Sequence, residues 1–266
     1  MPLLSDIAKA IEEVAPLSAQ EEWDNSGWQV AIFGTDIDCT GVMLCLDVTP
    51  EVVSEAEIRG CNLIVSHHPL IFKGVRSLCS ENRTEQAIIH CIRAGISVYS
   101  AHTSLDTAPC GPSARLASML GLTDCTTLSE SSGLGIIGTL PKASDVMSFV
   151  QKAGEVYGGG LRVSDGSDDR VERVALCSGA GAEFISTAIA RGADTFITSD
   201  IRYHDFVNFG RRILLIDVGH FESEICTKSI FSDIISEKFP NFAPCMCSHE
   251  LPPVAYHVHI NSAQHK

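Results

Sequence analysis

The chain has 266 residues, 45% hydrophobic and 20% charged, with a formal net charge of -14. That composition is ordinary for a globular protein and supplies core for one large or two smaller domains. The charge makes nucleic acid an unlikely partner, because affinity for a phosphate backbone comes mostly from Lys and Arg, and Asp plus Glu outnumber Lys plus Arg by 33 to 19.

The first segment, Met1 to Val14, reads as an amphipathic helix carrying acids. It lacks both the apolar core of a signal peptide and the arginines of a transit peptide. No apolar run reaches the ~20 residues of a membrane span. The 11 cysteines are odd in number, and Cys45, Cys91 and Cys177 fall in apolar patterns where Cys behaves as a small hydrophobe. The expectation is a reduced, soluble, cytoplasmic protein with no membrane contact.

Next come an apolar run at Val42–Asp47, a helix-period stretch closing on Arg59-Gly60, and a second apolar run at Asn62–Val65. This order is a β-α-β unit. A helix is predicted near 84–94, a strand at Ile96–Tyr99 and a helix near 112–120. The Ser- and Thr-rich stretch Thr123–Ser132 reads as a linker, followed by a strand at Leu134–Leu140 and a helix near 144–153. A second β-α-β pattern then appears, in register with the first at a shift of 132 positions: Val42–Asp47 lies over Val174–Gly179, and Arg59-Gly60 over Arg191-Gly192. Duplication is one reading; Arg-Gly as ordinary helix punctuation in unrelated units is the other. A strand at Arg212–Ile216 leads into a helix from about His220 to Lys238. The fold class expected is α/β, with two similar lobes built from duplicated β-α-β units and mixed sheets flanked by helices. Residues 1–125 with 212–266 would form one lobe and 126–211 the other. Near the C-terminus, Cys245, Cys247 and His249 could bind a soft metal, although no second Cys pair completes the site. His257, His259 and His265 read as a strand edge and a frayed end.

Three apolar runs are followed by metal-type ligands: Ser66-His67-His68-Pro69, His102-Thr-Ser-Leu-Asp106, and Gly219-His220-Phe-Glu-Ser-Glu224. Imidazole and carboxylate bind borderline divalent cations at about 2.0–2.2 Å. Adjacent His67 and His68 at a strand end point to opposite sides of the backbone and suit two neighbouring ions better than one. His220 and Glu224 lie one helical turn apart on one face, so they meet the same ion, or Glu224 bridges two. His67, His68, Asp106, His220 and Glu224 together suit a dinuclear centre with ions about 3.5–4 Å apart. In the second repeat His67 and His68 correspond to Ser199 and Asp200, and Asp200 reads either as a contact near the ligands or as a helix N-cap beside a surface His204.

These segments, with Trp23-Asp-Asn-Ser-Gly-Trp-Gln-Val30 and Thr198-Ser-Asp-Ile-Arg-Tyr-His-Asp205, resemble the signatures of the Nif-three-like dinuclear metal-centre family, whose members are named type-two GTP cyclohydrolase I homologues. The resemblance runs from about residue 20 to 225. It implies a two-lobed α/β fold, a toroidal homohexamer, and two divalent ions (Zn, Fe or Mn) held by His67, His68, Asp106, His220 and Glu224. His102 matches a position that is either a ligand or an outer contact. Ser104 stands where Asn is common, and Ala31 where Gly often follows. The activity implied is hydrolysis of a C–N bond in a nucleotide-like small molecule such as GTP, water attacking the imidazole ring carbon and formate leaving. His204-Asp205 and Glu222 are candidate proton carriers, with a solvated helix face as the plainer reading of Glu222. The rival reading is a metal-binding oligomeric scaffold or regulatory partner without turnover. No phosphate loop of the Gly-Lys-Ser/Thr type is present, since Gly158-Gly159-Gly160 lacks the lysine.

Overall fold

The short apolar runs become strands buried along their whole length, as parallel strands covered by helices on both faces require. The computed structural model describes residues 1–166 and 169–255. In chain order, the first part contains α1 (Leu4–Val14), β1 (Gly27–Val30), β2 (Val42–Cys45), α2 (Pro50–Ile58), β3 (Leu63–Ser66), α3 (Arg83–Ala94), β4 (Ser97–Ser100), α4 (Thr103–Asp106) and α5 (Pro112–Met119). The second contains β5 (Thr123–Thr127), β6 (Ile136–Asp145), α6 (Val146–Tyr157), β7 (Arg162–Val163), β8 (Arg170–Leu176), α7 (Ile185–Ala190), β9 (Thr195–Thr198), α8 (Tyr203–Phe209) and β10 (Leu214–Asp217). The chain then forms α9 (His220–Glu224), α10 (Thr227–Lys238) and β11 (Cys245–Met246).

Two mixed sheets result, with strand orders β1-β4-β3-β2-β11 and β5-β6-β8-β9-β10-β7. In the first, β2, β3 and β4 are parallel and β1 is an antiparallel edge on β4. In the second, β8, β9 and β10 are parallel and β7 is an antiparallel edge on β10. The likeness of the two halves thus extends past the aligned β-α-β unit to a third strand and its edge. They differ on the far side, where β2 takes β11 in parallel and β8 takes the antiparallel pair β6–β5.

Period-two alternation sends side chains to both faces. Leu44 and Val65 join Leu4, Ile7 and Ile11 of α1 and Phe231 and Ile235 of α10 on one side of the first sheet. Met43, Ile64 and Val98 meet Val52, Val53 and Ala56 of α2 and Ile88 of α3 on the other. The second sheet is covered likewise by α5 and α6 on one face and by α7 and α8 on the other. Helix α2 begins where Pro50 follows Thr49, whose side chain accepts from the Val52 N–H; both are start signals.

The structure corrects three expectations. Strand Leu214–Asp217 pairs in parallel with Thr195–Thr198, so it belongs to the second sheet and not to the lobe proposed to resume at 212; the chain returns to the first sheet with α10, which packs on it, and β11. Thr123–Thr127, read as linker, is an exposed edge strand on β6: β-branched threonines satisfy a strand whose neighbours leave it in water. The helix expected from His220 to Lys238 is two helices, because Thr227 Oγ1 donates to the Glu224 carbonyl at 2.7 Å and interrupts the regular ladder.

Cys247 and His249 do not face a common ion. Cys247 Sγ, Ser248 N and Oγ, and His249 N and Nδ1 all converge on the carboxylate of Glu55 at 2.8–3.1 Å. Glu250 accepts from the Leu46 and Asp47 N–H groups at 2.7–3.0 Å. The C-terminal segment is thereby strapped to the end of β2. His257, His259 and His265 lie outside the described residues.

Candidate metal centre

The carboxyl ends of the parallel strands of both sheets converge, which is where α/β folds usually carry their chemistry. His67 and His68 follow β3, His102 to Asp106 follow β4, Asp200 follows β9, and His220 follows β10. The β2–β3 ladder continues past the strand end, His67 N–H to the Cys45 carbonyl and His68 N–H to that of Leu46. This holds the tandem histidines rigidly.

Glu224 lies at the centre. His68 Nε2 is 2.9 Å and His220 Nε2 3.0 Å from its Oε2, while His67 Nε2 is 3.8 Å from its Oε1 and 3.6 Å from Asp106 Oδ1. All five sequence-predicted residues are therefore brought together. The tandem imidazoles address different oxygens of one carboxylate, their ring centres 5.2 Å apart. His102 joins them, with its ring 5.1 Å from that of His67 and 5.5 Å from that of His68. Ligand atoms lie within 4.8 Å of one another in two groups, His68–His220–Glu224 and His67–His68–His102, with His68 common to both.

Each imidazole is turned the same way. Nδ1 of His67 donates to the Ala101 carbonyl at 3.0 Å, that of His68 to Asp47 at 2.8 Å, that of His102 to Asp24 at 2.8 Å, and that of His220 to Asp200 at 2.6 Å. A carbonyl or an ionised carboxylate can only accept, so each outward Nδ1 carries a proton; without a metal the inward Nε2 of His68 and of His220 donates as well, to Glu224, and loss of that proton frees the lone pair for an ion. Outer acceptors of this kind fix metal-binding imidazoles. Asp24, Asp47 and Ala101 had no assigned role in the sequence reading. Asp24 is held further by the Thr103 hydroxyl at 2.6 Å and the Ser26 hydroxyl at 2.9 Å.

Of the three buried side-chain atoms without a partner among the described residues, two belong to the predicted ligands, His67 Nε2 and Asp106 Oδ1. They face each other at 3.6 Å, too far for a hydrogen bond. Leaving such groups unpaired costs about 1–3 kcal/mol each, and a divalent cation between them satisfies both. The donor set of imidazole nitrogen and carboxylate oxygen fits that ion. Ser104 Oγ is likewise buried and unpartnered, so it does not orient Asp106.

The electrostatics carry the same mark. Burial opposes charge on His68, yet hydrogen bonds to Asp47 and Glu224 push its pKa up to about 10. The hydrogen bond to Glu224 raises His220 to about 9 against its burial. Burial raises Asp106 to about 7, with His67 opposing. Glu224 is itself almost wholly buried, and the bonds from His220 and His68, with the His67 ring beside it, nevertheless hold it far below the usual carboxylate range. The imidazoles around this buried carboxylate hold protons where a metal would otherwise bind.

Gly179 makes room for Glu224. Its φ is +64°, and a Cβ there would lie 2.2 Å from Glu224 Oε1. Its N–H donates to Ser223 Oγ at 2.9 Å, which ties the loop after β8 to α9. Asp200 also sits at positive φ, 56°, a strained conformation for a non-glycine that commonly marks functional positions. It does not cap α8, whose first turn is closed by Asp205 bonding the Arg202 N–H. His204 packs on Tyr203 at 5.3 Å, and the Glu222 side chain lies against Gly159. None of the three proton carriers suggested by sequence proximity, His204, Asp205 or Glu222, is among the grouped ligands.

The Duf34/NIF3 (NGG1p interacting factor 3) sequence profile matches residues 2–251. The chain belongs to this family. Relatives at the sequence level include a Clostridium perfringens protein named GTP cyclohydrolase 1 type 2 homolog, 33% identical over 83% of this chain and 86% of its own length. A Lactococcus lactis protein of the same name is 31% identical over 90% of this chain and 92% of its own. Among solved structures, a hypothetical protein from Staphylococcus aureus superposes with a TM-score of 0.86 at 26% identity, covering 96% of this chain and 99% of that one. A Bacillus cereus protein related to NIF3 superposes with a TM-score of 0.87 at 21% identity, over 96% and 99% of the two chains, and shares the fold. The NIF3 fold is therefore the α/β arrangement described above. Among the described residues no helix is long and apolar enough to cross a membrane.

Proposed function

We propose that this NIF3 protein is a metal-dependent hydrolase that holds two divalent ions and acts on the ring of a nucleotide-like molecule. The observation that supports the reading is the common orientation of four imidazoles, each donating outward from Nδ1, with Nε2 of His67, His68 and His220 turned toward Glu224 or Asp106. His68, His220 and Glu224 would hold one ion, and His67 and Asp106 the other. His102, fixed by Asp24, is a sixth group on the His67 side.

When bound, such ions polarise an electrophile and activate water. The chain supplies the rest. His67 is fully buried and Glu224 nearly so, so the back of the pocket is closed to bulk water and its open side lies toward the partly exposed His68 and His220. Trp23 stands edge-on to His102 at 5.9 Å, a wall of suitable chemistry for a planar ring. The names of the curated relatives support GTP as the first substrate to try, with formate as the product to assay.

A homohexamer in the cytoplasm belongs to the same proposal and rests on the family resemblance. The test is to reconstitute the purified protein with Mn, Fe or Zn, count ions by elemental analysis, and follow formate release from GTP. Turnover that vanishes in His68→Ala at unchanged fold supports the hydrolase. Ions bound with no turnover on any nucleotide would instead favour the scaffold reading. Light scattering gives the assembly size independently.

A further inference from the structure

The loop leaving His68 lines a cavity of about 490 Å³ between Pro69 and Glu85. Lys73 and Arg76 both lie on its wall, and so does Phe72. Phe72 is also part of the metal centre's rim, its ring 6.1 Å from His102 and 5.9 Å from Trp23. The cavity and the centre are thus neighbours separated by one aromatic side chain.

The cations of this wall are free in an acidic protein. Several cations elsewhere are taken up by carboxylates, as Glu51 takes Arg83, Asp233 takes Arg115, Asp217 takes Arg162, and Glu250 takes Lys228. Among the described residues Lys73 and Arg76 make no such pair, although Asp plus Glu exceed Lys plus Arg by 33 to 19. The one carboxylate in the wall, Glu85, is turned into the backbone: it accepts from Cys79 N at 3.0 Å, Glu81 N at 3.1 Å and Asn82 Nδ2 at 2.8 Å. Those bonds lower its pKa and keep it where it is.

We infer that Lys73 and Arg76 form a subsite for the phosphoryl tail of the ligand whose reacting end sits at the metal centre, with Phe72 between them. This rests on the reading of the centre as a substrate site and adds the feature that reading lacked, since the chain has no phosphate loop. Two cations match the charge of a phosphoryl dianion. Arg supplies a planar fork of donors and Lys a mobile point charge, a usual pairing for phosphate.

Calorimetric titration of inorganic pyrophosphate into metal-free protein at low salt tests the subsite apart from the ions. Binding should weaken at least about tenfold in Lys73→Gln/Arg76→Gln, by the loss of two charge-assisted contacts. It should persist in His68→Ala and in a charge-matched control, Lys9→Gln/Lys142→Gln. Both altered positions are exposed, and an unchanged melting temperature checks the fold. Equal weakening in the control pair, or none in the Lys73/Arg76 pair, overturns the inference. So does malonate binding as tightly as pyrophosphate, which would make the subsite one for carboxylates. If pyrophosphate binds as expected while the metal-loaded protein turns over nothing, the subsite stands and the hydrolase reading alone fails.

Discussion

The two repeats carry the same strand–helix–strand frame to one meeting point and do opposite things there. At the end of the first, Asp47 and the His67–His68 pair supply a carboxylate and two imidazoles. At the matching positions of the second stand Gly179, Ser199 and Asp200. Gly179 contributes absence, the space that Glu224 Oε1 occupies, and Asp200 contributes only an acceptor for His220 at 2.6 Å. One copy offers donors; the other orients and admits the donors that arrive from α9. Duplication of a frame does not require duplication of its chemistry.

The largest effect should come from abolishing that asymmetry at Gly179. In Gly179→Ala the new methyl collides with Glu224, and φ near +64° costs roughly 1 kcal/mol for a residue with a Cβ. The expected outcome is loss of metal binding by at least about 100-fold, read by competition with a fluorescent chelator.

Outer acceptors come next. Asp47→Asn and Asp200→Asn should each weaken metal binding by about 10–100-fold without unfolding the protein. Asp47→Asn should be the more severe, because its partner His68 belongs to both ligand groups. Equal effects would argue that the two ions are held independently.

Protons compete with metal at this site, so pH sharpens the comparison between folded and unfolded chains. His68 and His220 are raised to about 10 and about 9 from 6.5. A raised basic group stabilises the fold fully below the unfolded pKa and ceases to do so as pH climbs through the folded value. Metal-free protein should therefore lose stability between about pH 6.5 and 10, and Asp106, raised to about 7, loses it in the same direction from lower pH. Because both imidazoles are partly exposed and therefore screened, a fall in Tm of at least roughly 5 °C over that window is expected, while metal affinity rises over it. The smallest effect belongs to the remote polar cluster: His204→Ala and Asp205→Asn should leave metal content unchanged and stability within about 0.5 kcal/mol.

Much of this was legible in the sequence because the ligands are short-range features of strand ends. Tandem His67–His68 and the one-turn spacing of His220 and Glu224 announce themselves, and apolar runs such as Val42–Cys45 mark buried strands. What the sequence hid was long-range. Asp24 lies 78 residues from His102 and Asp47 lies 21 from His68, and no local pattern says which carboxylate meets which imidazole. The offset of the repeats did pair Asp47 with Gly179, but only the three-dimensional approach of Glu224 explains why the second position is glycine. Leu214–Asp217 was placed in the wrong lobe because its neighbour in space, Thr195–Thr198, is set by sheet order, which an apolar run does not encode. Thr123–Thr127 reads as a linker because polar β-branched residues at a wet sheet edge share their composition with loops.

The central claim is that Glu224 is the hub of a two-ion centre. Elemental analysis of metal-reconstituted protein beside its Glu224→Gln variant tests it most directly. The account predicts about two ions per chain in the parent and less than about one in the variant, both folded. Equal metal content in the two proteins, or a parent that retains no stoichiometric ion, would contradict it.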